Sequence, residues 1–122
     1  MAKILVIDDE KVVRMAIMYK LKKEGHEVIE AEDGDEGIAK YRENPADLII
    51  TDIIMPNKEG FETIKDLNDE FPDAKIVAMS GGGASNSKNY LETAKKFNVV
   101  DVFEKSFEWE EMIRIVRKIF PK

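Results

Sequence analysis

Cysteine is absent and histidine occurs once, at His26. The first absence excludes disulfides, thiolate zinc sites and thiol catalysis; the second excludes the commonest His-rich transition-metal sites. No apolar run approaches the roughly 20 residues that a membrane-spanning helix needs. Met1-Ala2-Lys3 leads straight into a short apolar segment, without the layout of a signal peptide. A cytoplasmic chain is expected. Internal repeats, low-complexity tracts and linkers are also missing. Positive charge is in deficit: 19 Lys and Arg against 25 Asp and Glu leave a formal charge of −6, which argues against wholesale nucleic-acid binding. What remains for chemistry is carboxylate, amine and hydroxyl. With 122 residues, 43% hydrophobic and 36% charged, the chain is sized for one hydrophobic core under a well-solvated surface.

Five short apolar runs recur: Ile4 to Ile7, Val28 to Ala31, Leu48 to Thr51, Ile76 to Met79 and Val99 to Phe103. The first, third and fourth lack polar alternation, which predicts central parallel strands covered on both faces. Between the runs, three-to-four-residue spacing predicts amphipathic helices. They carry Val12, Val13, Ala16, Ile17 and Leu21; Ile38 and Tyr41; Phe61, Ile64, Leu67 and Phe71; and Tyr90, Leu91, Ala94 and Phe97. A last helix carries Met112, Ile113, Ile115, Val116, Ile119 and Phe120. Gly25 after Lys20, Lys22 and Lys23 marks a helix end, while Asp33-Gly34 and Asn44-Pro45 mark turns. Alternating strand and helix predict a doubly wound α/β domain over residues 1–122, with right-handed crossovers and a five-stranded parallel sheet in the order 2-1-3-4-5. In that order the ligand crevice opens at the carboxyl ends of strands 1 and 3.

The residues at those ends turn the fold into a site. Strand 1 ends in Asp8-Asp9, strand 3 in Asp52, strand 4 in Ser80 and strand 5 in Lys105. Carboxylates on strands about 4.8 Å apart repel by roughly 3 kcal/mol per pair at an effective dielectric of 20, so the cluster calls for a cation. Hard oxygen donors without His or Cys favour Mg²⁺ or a similar ion that also accepts phosphate oxygens. Lys105 supplies a second positive charge. The chemistry suggested is phosphoryl transfer to Asp52, with Lys105 and Ser80 holding the other oxygens of an acyl phosphate. Plainer readings exist for each residue: Asp8-Asp9 and Glu10 suit a helix N-terminus, Asp52 a turn and Lys105 a surface charge. Their conjunction on four adjacent strand ends favours the site.

Other features carry less. Gly81-Gly82-Gly83 is not followed by Gly-Lys-Ser or Gly-Lys-Thr, so a nucleotide cradle is not expected. His26 opens strand 2, away from the crevice, in a packing or surface role. The six methionines suit core positions or loops, and Trp109 suits edge packing ahead of the last helix more than partner binding.

In order along the chain stand Ile4-Leu5-Val6-Ile7-Asp8-Asp9-Glu10, Asp47-Leu48-Ile49-Ile50-Thr51-Asp52-Ile53-Ile54-Met55-Pro56 with Gly60 eight positions after Asp52, Ala78-Met79-Ser80-Gly81, and Lys105-Ser106-Phe107. Together they resemble the receiver domain of two-component response regulators, the chemotaxis-regulator-like domain of flavodoxin-like (βα)5 fold, in its single-domain form without an output domain. The resemblance implies that Asp8, Asp9, Asp52 and the backbone carbonyl of Ile54 hold Mg²⁺. It implies that a sensor histidine kinase or phosphotransfer protein phosphorylates Asp52, with Ser80 as the switch hydroxyl and Lys105 as the phosphate-binding amine. The output is then a protein target met through the fourth helix, fifth strand and last helix, with no nucleic acid, membrane or small-molecule cofactor. Such a chain acts on itself as phosphoacceptor, with autodephosphorylation left open, and is not an enzyme toward other substrates.

Three positions depart from the family pattern. Ser106 replaces the proline that often follows the lysine in a cis bond; a cis bond before serine costs about 2.5–4 kcal/mol. Val102 replaces the switch Tyr or Phe, and Phe103, one residue on, points to the opposite face, so an aromatic-rotamer switch is not expected. Glycines follow the switch serine where bulkier residues are usual. Ser106 and Val102 also suit an alternative, a receiver-derived interaction module that has lost phosphorylation. A flavodoxin-like electron carrier is disfavoured by Asp9-Glu10-Lys11 where its phosphate loop would lie, and an aspartyl-phosphate hydrolase by Ile54 where a second acid would stand.

Overall fold

Three of the strands are apolar at successive positions, and a strand of that kind must bury both of its faces. The computed structural model describes residues 1–53, 60–81, 95–105 and 108–121. In it, β1 (Lys3–Ile7), β2 (Glu27–Ala31), β3 (Leu48–Asp52), β4 (Ile76–Ser80) and β5 (Asp101–Glu104) form one parallel sheet in the order β2-β1-β3-β4-β5. This is the doubly wound order expected from the sequence. The helices are α1 (Lys11–Lys23), α2 (Gly34–Glu43), α3 (Gly60–Glu70) and α4 (Glu110–Ile119).

Strand alternation divides the core into two layers. Ile4, Val6, Leu48, Ile50, Val77, Met79 and Phe103 meet Ile17 and Leu21 of α1 and Met112, Ile115 and Val116 of α4. Leu5, Ile7, Ile49, Ile76 and Ala78 face the other way, onto Ile38 and Tyr41 of α2 and Ile64 and Leu67 of α3. Phe103 thus faces the α1–α4 layer while Val102 packs on the α2–α3 layer, as alternation requires. Among the described residues no helix is long and apolar enough to cross a membrane.

Local chemistry sets the helix ends. At the close of α1 the His26 N–H donates to the Leu21 carbonyl at 3.1 Å and the Gly25 N–H to that of Lys22 at 3.0 Å, a Schellman pair. Gly25 takes φ +91° there, a conformation that a side chain disfavours. Asp33-Gly34, read from sequence as a turn, is instead where α2 begins: Asp33 Oδ1 accepts from the Glu36 N–H at 2.8 Å as N-cap. Gly37 lets α2 lie close on β1, since a Cβ there would stand 2.8 Å from Ile7 Cγ1.

Several expectations are refined. Val12, placed by its spacing on the buried face of α1, is 78% exposed, and the buried position goes to Arg14. The fifth strand begins at Asp101 rather than Val99, although the Val100 N–H already donates to the Ile76 carbonyl at 2.7 Å. Of the fourth helical stretch, Tyr90, Leu91 and Ala94 lie outside the described residues; Phe97 stacks on Phe61 with centroids 5.9 Å apart. Trp109 packs in the α1–α4 layer, 7% exposed, with φ +57°. A bulky residue in that left-handed region costs roughly 1–2 kcal/mol, which burial of the indole offsets. His26 sits at the amino end of the sheet, where its Nδ1 accepts from the Ala2 N–H at 3.0 Å and its ring tilts on Phe120.

Candidate functional site

Parallel register carries the strand ends to one edge. Ile7 pairs with Thr51, so Asp8 and Asp52 follow side by side; Asp52 pairs with Met79, and Ser80 with Glu104 immediately before Lys105. The Lys105 N–H donates to the Ser80 carbonyl at 2.8 Å, and the Ile53 N–H to the Met79 carbonyl at 3.0 Å, which extends the ladder past the reactive side chains. Backbone pairing, not side-chain packing, therefore fixes where the functional groups emerge.

Asp8, Asp52 and Ser80 are buried, whereas Asp9 and Glu10 are exposed. Lys105 Nζ donates to Asp52 Oδ2 at 3.1 Å and stands 2.6 Å from Asp8 Oδ2, an ion contact at an angle outside hydrogen-bond geometry. One ammonium thus serves two buried carboxylates. Its burial alone would lower the lysine pKa, but the negative charges of Asp52 and Asp8 held against the ammonium outweigh this and keep it above the ordinary value. The ammonium stays charged throughout the physiological range.

Asp8 is further constrained. Its Oδ1 accepts from the Glu10 N–H at 2.8 Å, and its backbone carbonyl accepts from Arg14 Nη1 at 2.7 Å. The plain helix-cap role does not hold for this pair. The N-cap position of α1 belongs to Glu10, which makes no side-chain cap bond, and Asp8 turns back on the N–H two residues ahead. Asp8, Asp9 and Glu10 each offer a carboxylate oxygen, and these atoms lie within 4.8 Å of one another. The donors are all hard oxygens, the set that Mg²⁺ takes. Ser80 Oγ is buried with no hydrogen-bond partner among the described residues, an orphan donor beside the Lys105 turn.

Of the residues expected from sequence, Asp8, Asp52, Ser80 and Lys105 come together, and Asp9 joins Asp8 at the rim. Ile54, the expected carbonyl ligand, and Ser106, whose bond to Lys105 was at issue, lie outside the described residues, as do Gly82 and Gly83. Sequence reasoning missed Glu10 as part of the acidic cluster, and it missed Arg14 and Glu30. A lone arginine in a helix and a glutamate in an edge strand carry no signal until the fold brings them together.

Comparison with known proteins follows the same outline. The family model of the response regulator receiver domain matches residues 4–117. The chemotaxis protein CheY of Bacillus subtilis is 31% identical over 117 residues, covering 95% of each chain. Response regulator RR06 of Streptococcus pneumoniae is 37% identical over 88 residues, 72% of this chain but 40% of that longer protein. Among solved structures, the response regulator TrrA of Thermotoga maritima, in complex with Mg(2+)-BeF, superposes with a TM-score of 0.85 at 32% identity, covering 98% of this chain and 100% of that one. Matched along nearly its whole length in both sequence and backbone, the chain belongs to the receiver domains of two-component response regulators.

Proposed function

We propose that the crevice is a phosphoacceptor site and that Asp52 is the residue phosphorylated. The observation that carries this reading is the Lys105 ammonium held between Asp8 and Asp52, with the Ser80 hydroxyl, unpartnered among the described residues, at the neighbouring strand end. That arrangement suits an incoming phosphoryl group: Asp52 offers the nucleophilic oxygen, Lys105 a cation for one phosphoryl oxygen and Ser80 a hydroxyl donor for another. In the transfer, an Asp52 carboxylate oxygen forms a bond to phosphorus while the bond from phosphorus to the donor breaks. For a phosphohistidine donor, the imidazole nitrogen keeps the electron pair. The chain is thus an acceptor, supplied by a histidine kinase or phosphotransfer protein, rather than an enzyme toward other substrates.

Mg²⁺ fits the all-oxygen cluster, and when bound it supplies charge neutralisation for the phosphoryl oxygens. Asp8 and Asp9 would hold it, with Asp52 and the Ile54 carbonyl as the further ligands expected from the family pattern. Output follows from a shift in population between two arrangements of the segments that leave Ser80 and Lys105. The hydrogen bond from the Lys105 N–H to the Ser80 carbonyl links those segments, which supports an output face along β5 and α4 together with the fourth helical stretch.

Incubation with acetyl phosphate and Mg²⁺, read by intact mass, is expected to add one phosphoryl group to the wild type and none to Asp52→Ala. Labelling that persists in Asp52→Ala, or that proceeds equally well with Mg²⁺ chelated, overturns the assignment.

A further inference from the structure

Arg14 breaks the pattern of its own helix. It takes a buried position, 8% exposed, while Val12 two residues earlier points to water. Burying a guanidinium costs free energy unless its donors find partners, and here Nη1 and Nε do. Nη1 donates to the Asp8 carbonyl at 2.7 Å and Nε to Glu30 Oε1 at 2.7 Å. Glu30 is itself held, because Lys40 of α2 donates to its backbone carbonyl at 2.6 Å. The next β2 residue, Ala31, gives its carbonyl to the Asp8 N–H at 3.1 Å. Elements α1 and β2 therefore converge on the backbone of one residue, Asp8, and α2 braces β2 from behind through Lys40.

We propose that Arg14 is a positioning residue for the acidic pocket: by gripping the Asp8 carbonyl it fixes the plane of the Asp8–Asp9 peptide, and hence the directions in which both carboxylates leave the chain. The inference rests on the phosphoacceptor reading and adds a supporting layer that reading does not contain. Asp8 is constrained at its N–H, carbonyl, Oδ1 and Oδ2, by Ala31, Arg14, Glu10 and Lys105 respectively. The exposed Asp9 carboxylate makes no hydrogen bond or ion pair among the described residues, so the peptide plane is what sets its direction. A planar fork matters because one group must meet a carbonyl and a carboxylate at fixed angles; the lysine ammonium is a point charge that serves one partner well. Glu30 keeps the fork aligned and cancels its charge, which would otherwise oppose a cation in the pocket.

Positioning and simple charge predict opposite signs. If Arg14 acted only through its charge, Arg14→Met would remove a repelling cation and tighten Mg²⁺ binding, and Arg14→Lys would change nothing. If Arg14 positions the pocket, both variants weaken Mg²⁺ binding, by about tenfold or more as for other residues that support metal ligands. Titration calorimetry with Mg²⁺ alone on the whole chain reads this directly, and thermal unfolding in chelator shows whether each variant is folded. The labelling rate of Asp52 should recover at saturating Mg²⁺, since the nucleophile and Lys105 are untouched, and Arg42→Met, which breaks the exposed Arg42–Glu70 pair, should leave Mg²⁺ affinity unchanged. Should Arg14→Met fail to fold, Arg14→Lys decides. Unchanged or tighter Mg²⁺ binding in the folded variant overturns the inference while the phosphoacceptor reading stands. A wild type that binds no Mg²⁺ overturns both.

Discussion

The two ends of the sheet are built from similar residues and put to opposite uses. At the amino end polar groups are paired one to one: the Lys3 N–H donates to Asp47 Oδ2 at 2.8 Å, Lys3 Nζ to Asn44 Oδ1 at 2.8 Å, and the Ala2 N–H to His26 Nδ1 at 3.0 Å. Most of these groups reach water. At the carboxyl end the polar groups are buried and shared unevenly: two carboxylates lie against one ammonium, and the Ser80 hydroxyl has no hydrogen-bond partner among the described residues. Where residues serve only the fold, polar groups pair off; where a ligand is to be received, one ammonium is shared and a buried hydroxyl is left over.

Removing the lysine at each end should separate those uses most sharply. Lys105→Met is expected to slow acetyl-phosphate labelling of Asp52 by about a hundredfold or more, the usual loss for one group that stabilises developing charge, while Lys3→Met leaves the rate unchanged. Equal rates in the two variants would erase the distinction. Charge repulsion in the metal-free crevice predicts the next effect. Asp8→Asn keeps an acceptor for the Glu10 N–H and leaves Lys105 paired with Asp52. It should therefore raise the melting temperature by a few degrees, on the order of 1 kcal/mol. The matching amino-end change, Asp47→Asn, should leave melting nearly where it was. A lower melting temperature for Asp8→Asn would mean that the crevice is a structural ion pair after all.

Hydroxyls give a smaller contrast. Thr51 Oγ1 donates to the Asp52 carbonyl at 3.1 Å, so Thr51→Val should cost about 1 kcal/mol, whereas Ser80→Ala loses no hydrogen bond and should cost nothing or stabilise slightly in denaturant melts. Smallest is the pH dependence. The Lys105 pKa is raised on folding, so its ion pairing contributes in full below the ordinary lysine value of about 10.4 and fades as pH climbs through the higher folded value. The stability difference between wild type and Lys105→Met should stay flat from neutral pH into the mildly alkaline range and shrink only above it. A decline beginning near neutrality would contradict the raised value.

Legibility differed along the same lines. The β1, β3 and β4 runs were readable because strands covered on both faces show almost no polar alternation to confuse the pattern, and the residues closing them followed from register. Asp8, Asp52, Ser80 and Lys105 converge for that reason. Val12 was misplaced and Arg14 missed for one reason: periodicity sorts residues by polarity, and here a guanidinium takes the buried place because the Asp8 carbonyl and Glu30 receive it. Asp33-Gly34 was misread since a residue that caps a helix also suits a turn. Glu10 looked like a helix-start residue, and it does occupy that position, but its carboxylate adds to the cluster instead of capping.

Trp109 has an optical consequence. It is the only tryptophan in the chain, it lies in the seam between α4 and the sheet, and it comes four residues after Lys105. Its emission therefore belongs to a single, desolvated indole whose surroundings are the seating of the last helix. A change in colour or intensity on phosphorylation would register movement of α4 without any added label, while a silent indole would place the moving parts elsewhere.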